Sequence, residues 1–174
     1  LRTLSIVRDS GVADRLVVST EDQEIAAFCR LRGFEITDRP ARLAEDDVPL
    51  ADVVRHVVET VDWQGTVLVA QPTCPLLHEP TVRTFVEEFD RTSLDWAISV
   101  APADRIIWDG GRCLQPRVNR QQLPTHVKAE SGALQIMSSD FARIAHGARG
   151  TIEIPAAEAL DVDTHADLAA ARLE

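Results

Sequence analysis

The sequence predicts an α/β protein in three layers, with a mostly parallel sheet flanked by helices on both faces. Two observations predict this class. Short, continuous apolar runs occur at residues 16–19, 66–70 and 96–100, as expected of strands that are buried on both faces of a sheet. Between them lie segments with apolar residues at helical spacing, and this alternation of strands and helices is typical of parallel sheets with crossover helices.

The individual elements follow from local signals in chain order. The opening residues have the pattern of a helix interior. Thr20 and Gln23 form a capping-box pattern for a helix over residues 21–32, and Gly33 marks its end. A further helix is predicted to begin at Pro49. The remaining predicted elements are a strand at 34–36, helices at 49–62, 79–90 and near 138–146, strands at 133–137 and 151–154, and a C-terminal helix.

Residues 102–131 interrupt this alternation. Asp109-Gly110-Gly111 lies between two short apolar runs and is a good hairpin turn, and the residues that follow it are polar and basic with little periodicity. Such an excursion from an α/β core is typical of an oligomerisation arm or a substrate lid. We therefore predict a single domain over residues 1–174 that carries a hairpin or dimerisation arm at 102–131.

The composition excludes several classes of function. The chain of 174 residues is 45% apolar and 26% charged, which is typical of a soluble globular protein. Its net charge of −10 argues against a nucleic-acid-binding surface, and no apolar run is long enough to span a membrane. Its three cysteines have no metal-binding or redox spacing and indicate a reducing compartment. We expect a cytoplasmic protein without a nucleic-acid or membrane partner.

The C-terminal segment contains the clearest chemical signal. A strand-like run leads to Asp161 and Asp163, and a helix begins directly after them. Carboxylates two residues apart can share one face of an extended segment, where they can hold a hard cation such as Mg²⁺. The alternative is a helix start, in which Asp163 or Thr164 is the N-cap and Asp167 lies in the first turn. The two interpretations are compatible, because one aspartate can bind metal while Thr164 caps the helix.

Other candidate binding residues lie in loops that follow predicted strands, where ligands sit in open α/β sheets. The loop at 71–76 contains two prolines and Gln71, which offers both a donor and acceptors. Arg39 follows the second strand, and its guanidinium could bind a phosphate. The alternative is a surface ion pair with a nearby carboxylate. A basic cluster, which either receives an anionic substrate or balances charge, consists of Arg117, Arg120 and Lys128.

These pieces occur together, in the same order, in one family. The chain resembles the CMP-sialic acid synthetases (acylneuraminate cytidylyltransferases) over essentially its whole length. The matching stretches are VVSTEDQEIA at 17–26, RPARLAED at 39–46, QPTCPL at 71–76, RQQLP at 120–124, GA at 132–133 and LDVDT at 160–164. The resemblance implies a fold like that of the nucleotide-diphospho-sugar transferases. It also implies a reaction in which CTP and a sugar acid give a CMP-sugar and pyrophosphate.

The resemblance also implies roles for particular residues. Asp161 and Asp163 are implied to hold Mg²⁺ and to act in catalysis, while Arg39 and Ser19 belong to the nucleotide side. By the same resemblance, the protein is a homodimer in which the arm at 102–131 reaches the partner's site. The side that faces the sugar acid is implied to comprise Gln71, Arg120, Gln121 and Lys128.

The chain differs from the resembled family at its start and at four positions of the family's binding pocket. The family begins with a strand and a glycine-rich loop that cradles the triphosphate, and we expect such a segment upstream of this chain. Leu77 stands where the family has an arginine, and loss of that arginine removes a charge-assisted contact worth about 1.5–3 kcal/mol. An acceptor other than sialic acid is therefore one alternative, and a catalytically silent dimerisation or regulatory domain is another. The four differing pocket positions are Leu50, Leu77, Ser131 and Gln135.

Overall fold

Strands and helices alternate as predicted in the computed structural model, which describes residues 2–103, 106, 108–114, 118–119, 122 and 126–172. Its strands are β1 (Val17–Thr20), β2 (Glu35–Asp38), β3 (Thr66–Ala70), β4 (Trp96–Pro102), β5 (Trp108–Asp109), β6 (Arg112–Cys113), β7 (Lys128–Ser138) and β8 (Arg149–Glu153). Its helices are α1 (Arg2–Ser10), α2 (Gln23–Arg30), α3 (Leu50–Thr60), α4 (Glu79–Asp90), α5 (Phe141–His146) and α6 (His165–Ala171). Within these ranges, no helix combines the length and the apolar character needed to cross a bilayer.

The helix boundaries follow from caps and turns. α4 has its predicted bounds, and α3 begins one residue after Pro49. The predicted cap of α2 is wrong, because Asp22 and not Thr20 is the N-cap. The Asp22 side chain accepts hydrogen bonds from the backbone N–H groups of Glu24 and Ile25. The Thr20 hydroxyl oxygen instead accepts from the Asp22 N–H over 3.1 Å, so it shapes the turn before the helix.

The central sheet has the strand order β3-β7-β4-β8. β3, β4 and β8 run parallel to one another, whereas β7 is antiparallel to its two neighbours, β3 and β4. The prediction of a mostly parallel sheet is confirmed, with β7 as the exception. β1 and β2 form a separate parallel pair, and β5 and β6 form the predicted hairpin. Since β7 begins at Lys128, the end of the segment predicted as an arm lies within the central sheet.

Helices cover both faces of the central sheet because successive side chains of a strand point in opposite directions. On β3, Leu68 and Ala70 pack into the larger core with α1 and α4. Val67 and Val69 pack on the opposite face with α3 and α5. The largest of the fully buried side chains in the described residues is Phe85 of α4, which is 1% exposed. The predicted three-layer α/β architecture is therefore confirmed.

Replacing Phe85 by alanine is expected to lower the free energy of unfolding by about 3–5 kcal/mol, because the change removes a buried ring and leaves a cavity beside the sheet. Phe28 on α2 offers a matched control, since it is 43% exposed. Phe28→Ala should cost less than about 1 kcal/mol. Urea unfolding of both variants, followed by circular dichroism, measures the difference. Equal losses would contradict the packing of α4 on the sheet.

Candidate functional site

Three segments meet at the edge of the central sheet where β3 ends: residues 71–76 after β3, residues 131–134 of β7, and residues 159–164 after β8. The Gln71 N–H donates to the Ala133 carbonyl oxygen over 3.0 Å. The Val162 N–H donates to the Thr73 carbonyl oxygen over 2.9 Å. The loop after β3 is thus fastened to the other two segments, at the carboxyl ends of parallel strands where ligands bind in α/β sheets.

An irregularity in β7 shapes this edge. The register between β4 and β7 shifts around Ser99, which alone faces residues 131–134. The Ser131 hydroxyl donates to the Ser99 carbonyl oxygen over 3.1 Å and accepts from the Ser99 hydroxyl over 2.6 Å. The Leu134 N–H donates to the Ser99 hydroxyl oxygen over 2.9 Å. Both buried hydroxyls therefore have partners, so the bulge leaves neither of them unsatisfied.

The bulge brings the backbone of Gly132 against Asp161. Gly132 has a φ of +70°, a left-handed conformation that glycine adopts at no steric cost. A Cβ atom at this position would lie 3.0 Å from Asp161 Oδ2, so a larger residue here would have to displace that carboxylate by a few tenths of an ångström. The position of the Asp161 carboxylate is therefore coupled to the shape of β7.

Cys74 lies next to the same carboxylate. Its Sγ is 3.9 Å from Asp161 Oδ1 and 3.7 Å from the Ser131 carbonyl oxygen, and the residue is fully buried. Burial, followed by the charge of Asp161 and more weakly that of Asp163, raises the pKa of the Cys74 thiol to about 11. Cys74 therefore stays protonated at neutral pH and is a weak donor to Asp161 rather than a nucleophile.

Asp161 and Asp163 present negative charge that no cationic side chain among the described residues neutralises. Two carboxylates suit Mg²⁺, which takes oxygen ligands, keeps several waters and is commonly held by one or two carboxylates together with substrate phosphates. In the part of the chain that the structure describes, no group of three or more His, Cys, Asp or Glu side chains could form a dedicated metal cage. The carboxylate oxygens of these two residues are therefore of the donor type that Mg²⁺ takes.

The competing interpretation of a helix cap applies to Thr164 and not to Asp163. α6 begins with a capping box in which the Asp167 N–H donates to Thr164 Oγ1 over 3.3 Å and the Thr164 N–H donates to Asp167 Oδ2 over 2.8 Å. Hydrogen bonds from the Thr164 side chain and then from its backbone lower the pKa of the Asp167 carboxyl. The exposed Asp163 carboxylate is therefore not needed as a cap and remains available to a ligand.

The other predicted site residues lie on separate elements. Arg39 follows β2, where its guanidinium contacts the Glu21 carboxylate with Nε 2.8 Å from Oε2, so the alternative of an ion pair is present. Ser19 lies on β1, and its hydroxyl oxygen is buried with no hydrogen-bond partner in the described chain. Lys128 begins β7, and its Nζ is 2.6 Å from Glu153 Oε2. Three further predicted residues lie outside the described residues: Arg117, Arg120 and Gln121.

The structure shows where the four pocket positions that differ from the resembled family lie. Leu77 is fully buried in the larger core, and Leu50 packs on the smaller core at the start of α3. Ser131 belongs to the buried bulge. Gln135 is half-buried on β7, opposite Val69 of β3. The side chain at the position of the family's arginine therefore packs in the core.

Sequence reasoning missed three residues that shape the site: Ser99, Cys74 and Glu158. The buried Glu158 carboxylate accepts from the His78 N–H and from the Thr81 hydroxyl, both over 2.8 Å, and so caps α4 from a distant loop. This contact anchors the segment that precedes Asp161. A serine within the apolar run 96–100 is the available signal for the bulge. Nothing in the sequence marks Glu158 as a cap, because His78 lies 80 residues away.

Comparison with known proteins shows what the fold is similar to. No family model matches the chain. The structure is similar to 4-diphosphocytidyl-2C-methyl-D-erythritol synthase, with a TM-score of 0.70 and 15% identity over 99% of this chain and 86% of that one. It is similar to CMP:2-keto-3-deoxy-manno-octonic acid synthetase complexed with CTP, with a TM-score of 0.68 and 14% identity over 99% of this chain and 86% of that one. It is also similar to the bifunctional IspDF from Campylobacter jejuni, with a TM-score of 0.62 and 14% identity over 90% of this chain and 42% of that one. These proteins share the fold.

Gly132→Ala is expected to destabilise the protein by about 1–2 kcal/mol through its left-handed backbone and also to displace the Asp161 carboxylate. Gly33 is a matched control, because its φ is +78° and nothing lies within 4 Å of an added Cβ. Gly33→Ala should therefore show the backbone strain alone. Chemical denaturation should give the larger loss in the free energy of unfolding for Gly132→Ala, because only that variant also has to displace a neighbouring side chain. Identical behaviour of the two variants would contradict the contact with Asp161.

Proposed function

We propose that the chain is a Mg²⁺-dependent nucleotidyltransferase that transfers CMP from CTP to a sugar acid and releases pyrophosphate. The observation that carries this proposal is the contact of Asp161 with Cys74 in the loop after β3 and with the bulge at Gly132, while Asp163 follows two residues later in the same exposed loop. Two further findings support it. The fold is shared with synthetases whose names specify cytidyl products, and the ordered motifs resemble those of the CMP-sialic acid synthetases.

The residues have different parts in the proposed reaction. Asp161 and Asp163 would hold Mg²⁺, which when bound neutralises charge on the phosphates. Cys74 and Gly132 act as positioning residues, because their contacts fix the Asp161 carboxylate. On the nucleotide side we place Arg39 and Ser19, and on the acceptor side Gln71, Arg120, Gln121 and Lys128.

The transfer exchanges one bond at phosphorus for another. An acceptor hydroxyl oxygen forms a bond to the α-phosphorus of CTP, and the anhydride bond to the β-phosphate breaks. Pyrophosphate leaves with the bonding electron pair, and the hydroxyl proton is released to solvent. Because such a transfer asks for little covalent chemistry from the protein, positioning and charge neutralisation account for most of the rate. In this acidic chain, Arg39 and Lys128 would supply part of the local positive charge.

A second candidate is the same transfer to an anionic acceptor other than sialic acid. The fully buried Leu77 cannot donate to a carboxylate, and the resembled family has an arginine at this position. The missing charge-assisted hydrogen bond would be worth about 1.5–3 kcal/mol. This observation favours an acidic compound that makes its contacts elsewhere in the pocket. A homodimer is part of the proposal, because Arg120 and Gln121 lie in the segment predicted as a dimerisation arm.

Pyrophosphate release is expected from the full-length protein with CTP, Mg²⁺ and one member of a panel of eight- and nine-carbon sugar acids, and EDTA should abolish it. Asp163→Asn should lower the rate by about 100-fold or more, because a bound metal contributes several kcal/mol of charge stabilisation. Asp9→Asn is the control, since Asp9 is an exposed residue of α1 that pairs with Arg8. An unchanged rate in Asp163→Asn would reject the metal assignment.

The same assay separates the remaining alternatives. CTP binding without pyrophosphate release from any sugar acid would point to a different class of acceptor. Absence of CTP binding, in full-length protein with an intact cooperative melting transition, would overturn the enzyme proposal. A silent dimerisation or regulatory domain of the same fold would then be the better account.

Glu21 competes with a nucleotide for Arg39. A hydrogen bond from its own backbone N–H, followed by the Arg39 guanidinium, lowers the pKa of the Glu21 carboxyl, so Glu21 is ionised at neutral pH. Arg39→Ala should weaken CTP binding about 10- to 100-fold, from loss of a charge-assisted contact of about 1.5–3 kcal/mol. Glu21→Gln should strengthen CTP binding, because it removes the competing charge.

Calorimetric titration with CTP checks both variants. Arg30→Ala is the matched control, because Arg30 of α2 pairs with Asp38 of β2 in an exposed ion pair. This variant should leave CTP affinity unchanged. If Arg39→Ala weakened binding of the acceptor and not of CTP, Arg39 would belong to the other half of the site.

A further inference from the structure

Helix α2 carries an exposed apolar stripe that consists of Ile25, Phe28 and Leu31. Ile25 is 49% exposed, Phe28 43% and Leu31 86%. The three residues recur at intervals of three, and the C-cap Leu31 keeps right-handed helical dihedral angles, so their side chains are neighbours along the helix. The opposite side of α2, with Ala26 and Cys29, is buried and packs against the β1–β2 pair. An exposed apolar patch with a polar rim is typical of a protein–protein contact.

Charged residues of opposite sign lie at the two ends of this α2 stripe. Glu24 lies in the first turn of α2, and Arg32 directly follows Leu31. The Arg32 guanidinium lies over the Phe28 ring, 3.4 Å from its centroid, and Nη1 donates to the Phe28 carbonyl oxygen over 3.0 Å. Its charge is therefore held beside the stripe before any partner binds, which lowers the entropic cost of association. Within the described chain, the Glu24 carboxylate has no ion-pair partner.

The order of these residues is symmetric about Phe28. Ile25 and Leu31 lie three residues before and after it, and Glu24 and Arg32 lie four residues before and after it. In two antiparallel copies of α2 related by a two-fold axis beside Phe28, a residue before Phe28 lies level with the residue equally far after it in the other copy. Each end of the pair would then place Ile25 level with the partner subunit's Leu31. It would also bring Glu24 close to the partner subunit's Arg32.

This symmetry favours a second copy of the chain as the occupant of the stripe. A contact related by a two-fold axis requires a surface that complements itself, whereas an unrelated partner imposes no such order on the stripe. Opposite charges at equal distances from a central aromatic side chain meet the requirement in the antiparallel arrangement. A parallel pair would instead set Glu24 against the partner subunit's Glu24 and Arg32 against the partner subunit's Arg32, and like charges in contact repel.

We propose that α2 binds α2 of a second copy of this chain in an antiparallel, two-fold symmetric pair with Phe28 at its centre. A helix of eight residues is about 12 Å long, so the pair buries less than the roughly 800 Å² per partner of a stable interface. The association is therefore weak and reversible, with a Kd of about 10 μM to 1 mM. The inference depends neither on the proposed transferase activity nor on the arm at 102–131.

The test measures self-association of the full-length protein by sedimentation equilibrium over a range of concentrations. Glu24→Arg and Arg32→Glu each set like charges against one another at both ends of the pair, so each variant alone should associate about 10-fold or more weakly. An equimolar mixture of the two variants has opposite charges at both ends and should associate again. If the arm also pairs chains, the same order of affinities is expected for the further association of that dimer.

Two more changes isolate the stripe. Phe28→Ala removes the central side chain of the contact and should weaken association about 10-fold or more. Leu168→Ala is the matched control, because Leu168 is an exposed apolar residue of α6 and should leave association unchanged. Circular dichroism verifies the folding of every variant. If either charge variant does not fold, the comparison of Phe28→Ala with Leu168→Ala decides the question.

Three results would overturn the proposal. Absence of any association that depends on concentration, up to about 1 mM protein, would show that the stripe does not bind a second copy. Association that neither Phe28→Ala nor the charge variants weaken would place the contact elsewhere on the chain. Failure of the mixed charge variants to associate, when each of them is folded, would contradict the antiparallel arrangement.

Discussion

The pairing of β7 with its two neighbours is the constraint on which the rest of the structure depends. β7 joins β3 to β4 and β8, and no other described strand makes that connection. Its side chains enter both cores, with Leu134 and Ile136 in the larger one and Met137 in the smaller one. Burial of apolar surface at roughly 25 cal/mol per Å² makes this two-sided packing the main source of stability. The helices of both layers pack on a surface that β7 completes.

The same strand departs from regular pairing beside the candidate site. A bulge disrupts the ladder of backbone hydrogen bonds and redirects nearby groups. Here the Ser99 hydroxyl accepts the Leu134 N–H in place of a backbone carbonyl, and Ser131 completes the buried pair. The deviation places Gly132 against Asp161. Core packing and site geometry therefore share one element, so a substitution that repacks the bulge also moves the carboxylate.

The charges around the proposed site are of two kinds. Arg39 and Lys128 are paired with Glu21 and Glu153, so an anionic substrate would exchange one carboxylate partner for another. Partly exposed pairs of this type are worth only about 0–1 kcal/mol, and their exchange costs little. The two aspartates of the C-terminal loop differ, because no cation in the described part of the chain offsets them. Phosphates approaching that loop would be repelled unless a divalent cation came with them.

Local patterns in the sequence were sufficient for the α/β class, for most element positions and for the placing of Gln71 and the two aspartates in loops after strands. Apolar runs and helical spacing involve only residues that are close together in the sequence, so they can be recognised from the sequence alone. The antiparallel direction of β7, the burial of Leu77 and the contacts around Asp161 depend on the tertiary structure. Cys74 meets Ser131 and Asp161 across 57 and 87 residues of chain, and no local pattern specifies which distant strand or loop a segment will contact.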